Sequence, residues 1–152
     1  MSYSHTQRGP WFLLMAVAAT ACLVVAWVAR GEPLAVVVCG GGAFVMLLCA
    51  LSFVHLTVYD DVDALATRYG PLPLFAWLCP RIRYDEIKSI EPDRSNILDG
   101  WGVHWFPGRG TMYNIWGFDC VRIETGRRIY RIGSDDVDNL IAFLRQRIDD
   151  KR

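Results

Sequence analysis

Asp60, Asp61 and Asp63 put three carboxylates within four residues of this 152-residue chain. Carboxylates so spaced hold a hard divalent cation when a glycine bends the loop and a later glutamate closes it. Neither accompanies them here, so the run reads as a solvated turn and no metal is expected. His104 lies between Val103 and Trp105, with no histidine, cysteine or nucleophile at a spacing that would complete a catalytic set. His5 and His55 have still less around them. The sequence contains no phosphate-loop, dinucleotide, zinc-protease or serine-hydrolase pattern. The five cysteines, Cys22, Cys39, Cys49, Cys79 and Cys120, show no CxxC spacing, and an odd count does not make a disulfide framework. These residues lead to the expectation of a non-enzymatic protein, with no catalytic residue and no cofactor.

Arginines at turns are the more informative group. Arg109 sits between Gly108 and Gly110, and Arg127 and Arg128 follow Thr125-Gly126. Cationic tips facing an anionic leaflet gain about 1 kcal/mol per charge, which would make these three contacts for lipid headgroups. The plainer reading is that charge keeps a turn solvated. Trp101, Trp105 and Trp116 offer a similar choice between lining a peptide groove and filling a core, and strand tryptophans more often do the second. From Thr57 onward 14 basic residues face 15 acidic ones, and the whole chain is neutral. That balance excludes a general nucleic-acid binder, which needs excess positive charge on one face.

The elements that carry these residues divide the chain. Hydrophobic residues make up 53% of it and are concentrated in the first third. From Trp11 to Ala29 there is no charge, a run that spans about 28 Å as a helix and matches a bilayer core. Arg30-Gly31-Glu32-Pro33 breaks it, and a second apolar run extends from Leu34 to Leu56. A signal peptide would have a shorter apolar core, a more basic start and no second span directly after it. The sequence therefore predicts an N-terminal tail at 1–10, a transmembrane helical hairpin at 11–56 (spans 11–29 and 34–56) and a soluble domain at 57–152.

Ala18, Cys22 and Ala26 recur every four residues on the first span, as do Ala35, Cys39 and Ala43 on the second. Folded about the turn, Ala26 would meet Ala35, Cys22 would meet Cys39 and Ala18 would meet Ala43, small residues that let helix backbones approach. Chance explains the pattern equally well, because small residues are common in such segments. Gly40-Gly41-Gly42 is a place for the second helix to weaken or bend. Neither span carries an ionisable group at mid-depth, so the pair reads as an anchor and not as a pore or transporter.

After Leu56 the pattern becomes strand-like. Leu56–Tyr59 and Ala64–Tyr69 flank the acidic turn, while Arg81–Tyr84 and Glu86–Glu91 alternate before Pro92. Pro73–Leu78 is apolar, fit for a core edge or for resting on the bilayer, and Asp93–Gly100 reads as a loop. Trp101–Phe106, Thr111–Trp116, Phe118–Glu124 and Arg127–Ile132 follow as strands joined by glycine turns. Ser134 is placed to cap a helix with Asp135 and Asp136 in its first turn. Val137, Leu140, Ile141, Leu144 and Ile148 form its apolar stripe, with Arg145, Arg147 and Lys151 towards its end.

The order of antiparallel strands and then one amphipathic helix, behind two spans, resembles the pleckstrin-homology-like domains of small bacterial integral membrane proteins. The resemblance covers about Leu56 to Ile148. It rests on Gly100-Trp101-Gly102-Val103-His104, on the Tyr113-Asn114-Ile115-Trp116-Gly117 turn and on Tyr130-Arg131-Ile132-Gly133-Ser134 leading into the helix. It implies an α+β chain with a strongly bent antiparallel β-sandwich or open barrel capped by the C-terminal α-helix. It implies no single function, because that fold is a scaffold for binding lipid heads, peptides or proteins. Two expectations follow: a binding or assembly module at the membrane surface, with a protein partner or self-association, or an anionic lipid-headgroup sensor. The expected location is the cell's inner membrane, multi-pass. Two spans put both termini on one side, and the lack of paired cysteines favours the cytoplasm.

Overall fold

The computed structural model describes residues 2–72, 76, 78–96 and 101–150. Two long apolar helices dominate the first third: α1, Trp11–Val28, and α2, Pro33–Ser52. Eighteen and twenty residues give rises of about 27 and 30 Å, enough to cross a bilayer core. Pro33 occupies the first turn of α2, where its missing N–H removes no helical hydrogen bond. The helices pack against each other, yet only 6% and 11% of the two spans is buried, leaving large apolar side chains such as Leu13, Val17, Val37 and Phe44 exposed. The helix α2 runs unbroken through Gly40-Gly41-Gly42.

The first ten residues are not a tail. Ser4–Arg8 forms a strand, β1, paired antiparallel with β2, His55–Asp61, in a register from Ser4↔Tyr59 to Arg8↔His55. Hydroxyls of the facing Thr6 and Thr57 lie 2.9 Å apart. Without β1, a long side of β2 would leave its backbone groups unpaired. The second span accordingly stops at Ser52, because His55 and Leu56 belong to the sheet. The helical hairpin is thus inserted between two neighbouring strands, and the first sheet draws on residues from both sides of it. Next to β2 lie β3, Ala64–Tyr69, and β4, Arg81–Arg83, completing an antiparallel sheet of order β1-β2-β3-β4.

The second sheet has the order β5-β8-β9-β7-β6. Its strands are β5, Ile87–Arg94; β6, Gly102–Phe106; β7, Gly110–Asn114; β8, Asp119–Thr125; and β9, Ile129–Gly133. The expectation of antiparallel pairing fails at one ladder, since β7 and β9 run parallel through Thr111↔Tyr130 to Tyr113↔Ile132. Two hairpins, β6–β7 and β8–β9, meet side by side there, and the sheet is mixed. Pro92 does not end β5, which continues to Arg94. As an edge strand it tolerates a residue with no N–H to donate.

Strand alternation places Val121 and Ile123 inwards, where they join Leu56, Val58, Leu65, Ile82 and Ile132 in one core. Leu140, Ile141 and Leu144 of the C-terminal helix α3, Val137–Asp149, close that core against β5 and β8. The helix starts two residues later than the sequence indicates. Asp136 holds the cap position, and Ser134 Oγ instead accepts the Asp136 N–H at 3.0 Å. The chain is therefore α+β, with two apolar helices, two sheets and a C-terminal helix. Most of the Pro73–Leu78 segment, the end of the 93–100 loop, Gly100 of the tryptophan motif and Lys151 lie outside the described residues.

Candidate functional site

The hairpin β6–β7 connects two surfaces of different character. At one end its last pair, Phe106↔Gly110, leads into the turn that carries Arg109. The turn closes with Arg109 N–H donating to the Phe106 carbonyl at 3.2 Å, while Gly108 takes a φ of +74° that a side chain would resist. The neighbouring β8–β9 turn is fixed by Thr125, whose N–H and Oγ1 both donate to the Arg128 carbonyl, at 2.9 and 3.0 Å. Parallel pairing of β7 with β9 sets the two turns at the same end of the sheet. Between them is an open groove of about 580 Å³ lined by Trp105, Phe106, Thr111, Arg127, Arg128 and Ile129, among others.

The structure therefore sets the three sequence-predicted arginines at one end of the sheet, two of them in this groove. Arg127 and Arg128 line the groove, and Arg109 stands beyond Gly108, which borders both that groove and a smaller depression of about 310 Å³ with Arg122 and Arg131. Arg127 and Arg128 are exposed and make no ion pair among the described residues. By contrast, Arg131 is buried and bound to Asp93 at 2.6 Å and to the Arg94 carbonyl at 3.2 Å. Trp105 and Trp116 are 69% and 42% exposed, correcting the expectation that strand tryptophans fill the core. Trp105 lies on β6, an edge strand, and that edge leaves it without a covering layer.

At the other end of the hairpin, the pair Gly102↔Asn114 borders the roots of the two apolar helices. Trp101 stacks on Trp116 with centroids 5.2 Å apart and tilts against Trp11, the first residue of α1, also at 5.2 Å. Phe53, just after α2, packs edge-on against Tyr69 at 5.3 Å. These rings surround an apolar notch of about 250 Å³ lined by Trp11, Met15, Phe53, Trp101, Gly102, Asn114 and Ile115. The indole nitrogens of Trp11 and Trp101 are buried with no acceptor among the described residues. Each such donor costs about 1–3 kcal/mol relative to a satisfied one. Sequence spacing gives no sign of this cluster, because its members come from four separate segments.

The remaining candidates divide by location. Ala18, Cys22, Ala26, Ala35 and Cys39 are half-buried and Ala43 fully buried, all on the less exposed faces of the helices. The acidic turn is not simply solvated. Asp60 accepts from the Tyr84 hydroxyl at 2.7 Å and pairs with Arg147 of α3, and Asp61 pairs with Arg81 at 3.0 Å. His104 Nε2 lies 2.8 Å from the Trp101 carbonyl, which makes the ring nitrogen the donor. His5 meets Asp135 at 2.5 Å. No group of three His, Cys, Asp or Glu side chains able to hold a metal occurs among the described residues.

Electrostatics mark the domain around these surfaces. Burial, and the Asp60 carboxylate it binds, push the Tyr84 hydroxyl well above the tyrosine range, and burial does the same to Tyr69. Burial, then Arg68 and Arg8, hold the His55 imidazole below its usual value. These shifts belong to packing beneath the first sheet and the helix roots, not to the arginine groove. No family model matches the chain, and neither a curated protein nor a solved structure matches it.

Proposed function

We propose that the chain is a membrane-anchored, non-enzymatic binding module that presents the arginine groove to an acidic, partly apolar segment of a protein partner. The anchor reading is supported by two helices of spanning length that leave many large apolar side chains exposed. A bilayer covers such surface, whereas water does not. The pleckstrin-homology-like reading of the soluble part has in its favour two sheets around one core and a terminal amphipathic helix packed on it. Under this reading both termini are cytoplasmic.

One observation carries the choice of ligand. Arg127 and Arg128 flank Trp105 and Phe106 in an open groove, and that groove lies at the opposite end of β6–β7 from the helix roots. Four residue steps of strand separate those ends, about 13 Å. Cations beside an exposed aromatic suit acidic and apolar groups presented together. The lipid-headgroup alternative draws on the same three arginines, Arg109, Arg127 and Arg128.

The test places a photo-reactive amino acid at Thr111 in the full chain, in its native membranes, with a matching control at Glu86. A protein adduct formed from Thr111 and lost in R127E/R128E supports the partner reading. Adducts confined to phospholipid support the headgroup alternative. Equal adducts from both positions, indifferent to the arginine changes, overturn both.

A further inference from the structure

We infer that the aromatic notch at the helix roots is a phospholipid site, seating the upper part of an acyl chain beside the rings of Trp11 and Trp101. The inference rests on the anchor reading, and it concerns a surface separate from the arginine groove. Position argues first. Trp11 opens α1 and Met15 lies one turn further in, so this wall of the notch enters the span by about 6 Å. Phe53 borders the end of α2, and Gly102, Asn114 and Ile115 form the wall belonging to the soluble domain. The notch therefore bridges the boundary between the apolar helices and the polar sheet, where a phospholipid changes from chain to ester.

Chemistry argues second. The lining is mostly aromatic and aliphatic, and at about 250 Å³ it exceeds the roughly 150 Å³ known to admit a benzene-sized apolar guest. The indole nitrogens of Trp11 and Trp101 are buried, so a guest meets their rings and not their donors. Tryptophan takes such a place when one end of its surroundings is apolar and the other polar. Continuity argues third. Leu14 and other exposed apolar residues of α1 adjoin this wall, and the molecules that would cover them are the ones that would enter it.

The experiment uses the full chain reconstituted in phosphatidylcholine nanodiscs, then extracted into mild detergent and weighed with its retained lipid by native mass spectrometry. Wild-type chain is expected to keep one phosphatidylcholine. Met15→Trp, which fills the notch, and the milder Met15→Phe are expected to lower retention, the first by roughly tenfold. Trp11→Leu/Trp101→Leu removes both ring walls of the notch, and is expected to weaken retention by about threefold. Leu13→Trp, on the exposed side of α1, is expected to leave it unchanged. Thermal unfolding of each variant establishes that it folds. A wild-type chain that keeps no lipid, or retention indifferent to both Met15 variants and the indole pair, overturns the site. Carbonate washing of the native membranes separates the two readings. Release of the chain overturns the anchor and the site together, while firm retention with no notch effect overturns the site alone.

Discussion

The two ends of the β6–β7 hairpin differ in what holds them. At the helix roots, chain segments touch through backbone and ring. Gln7 Nε2 donates to the Trp116 carbonyl at 2.8 Å, Gly70 N–H donates to His55 at 2.8 Å, and a Cβ on Gly70 would strike the carbonyl oxygens of Leu51 and Ser52. At the arginine tips, each turn is held mainly by hydrogen bonds within its own hairpin, and a Cβ on Gly108 would meet nothing within 4 Å. One end transmits position between helices and sheet. At the other, Gly110 is packed on the Ile129 backbone, but the exposed Arg109, Arg127 and Arg128 can change without disturbing the fold, which is what a binding surface needs.

Removing β1 tests this contrast hardest. Deletion of residues 2–8 leaves β2 an open edge and detaches the start of α1 from the sheet, so the full chain in detergent should lose its cooperative thermal transition. A transition that survives near the wild-type midpoint would mean that the roots are loosely joined.

Next in size is a pair of glycines. Gly70→Ala combines a φ of +53° with a backbone collision and should cost about 4 kcal/mol, whereas Gly108→Ala bears only the conformational penalty of about 1 kcal/mol. Urea unfolding of both variants reads the difference, and equal losses would erase the distinction between the two ends. Beneath the tips, Asp93→Ala removes the carboxylate 2.6 Å from the buried Arg131 guanidinium and should cost about 3 kcal/mol by the same measurement. Arg127→Ala, on the exposed surface above it, should leave the midpoint unchanged.

The smallest effect concerns acid. Because burial and two arginines hold the folded-state value of His55 down, the unfolded chain takes up a proton that the folded chain resists. Stability should be insensitive to this group above its ordinary value of 6.5 and should fall as pH drops through and below it. His55→Gln should flatten that part of the unfolding curve recorded between pH 7.5 and pH 5, taken as roughly one unit or more either side of the histidine range.

Much of the fold could be read from residue pattern. The two apolar helices, the strand at Ala64–Tyr69, the hairpin around Thr125-Gly126 and the stripe of α3 all lie close to where periodicity and turn residues put them. Each is a local property: an uncharged run of spanning length, a period of two, a stripe at three and four. Arg109, Arg127 and Arg128 were legible as turn residues for the same reason. Their placement at one end of the sheet was not, because it depends on the parallel pairing of β7 with β9, a contact between hairpins that leaves no spacing in either.

The helical hairpin shows the same division. The sequence alone determined that Trp11–Val28 and Pro33–Ser52 are helices fit for a bilayer, since length and lack of charge suffice for that. Only the tertiary structure decided that Ser4–Arg8 is a strand and that the hairpin is inserted between it and β2. A five-residue polar segment has no pattern strong enough to declare itself, and it becomes a strand only when β2 offers an edge to pair with. The tryptophan notch likewise exists because this pairing draws Trp11 to Trp101, ninety residues further along the chain.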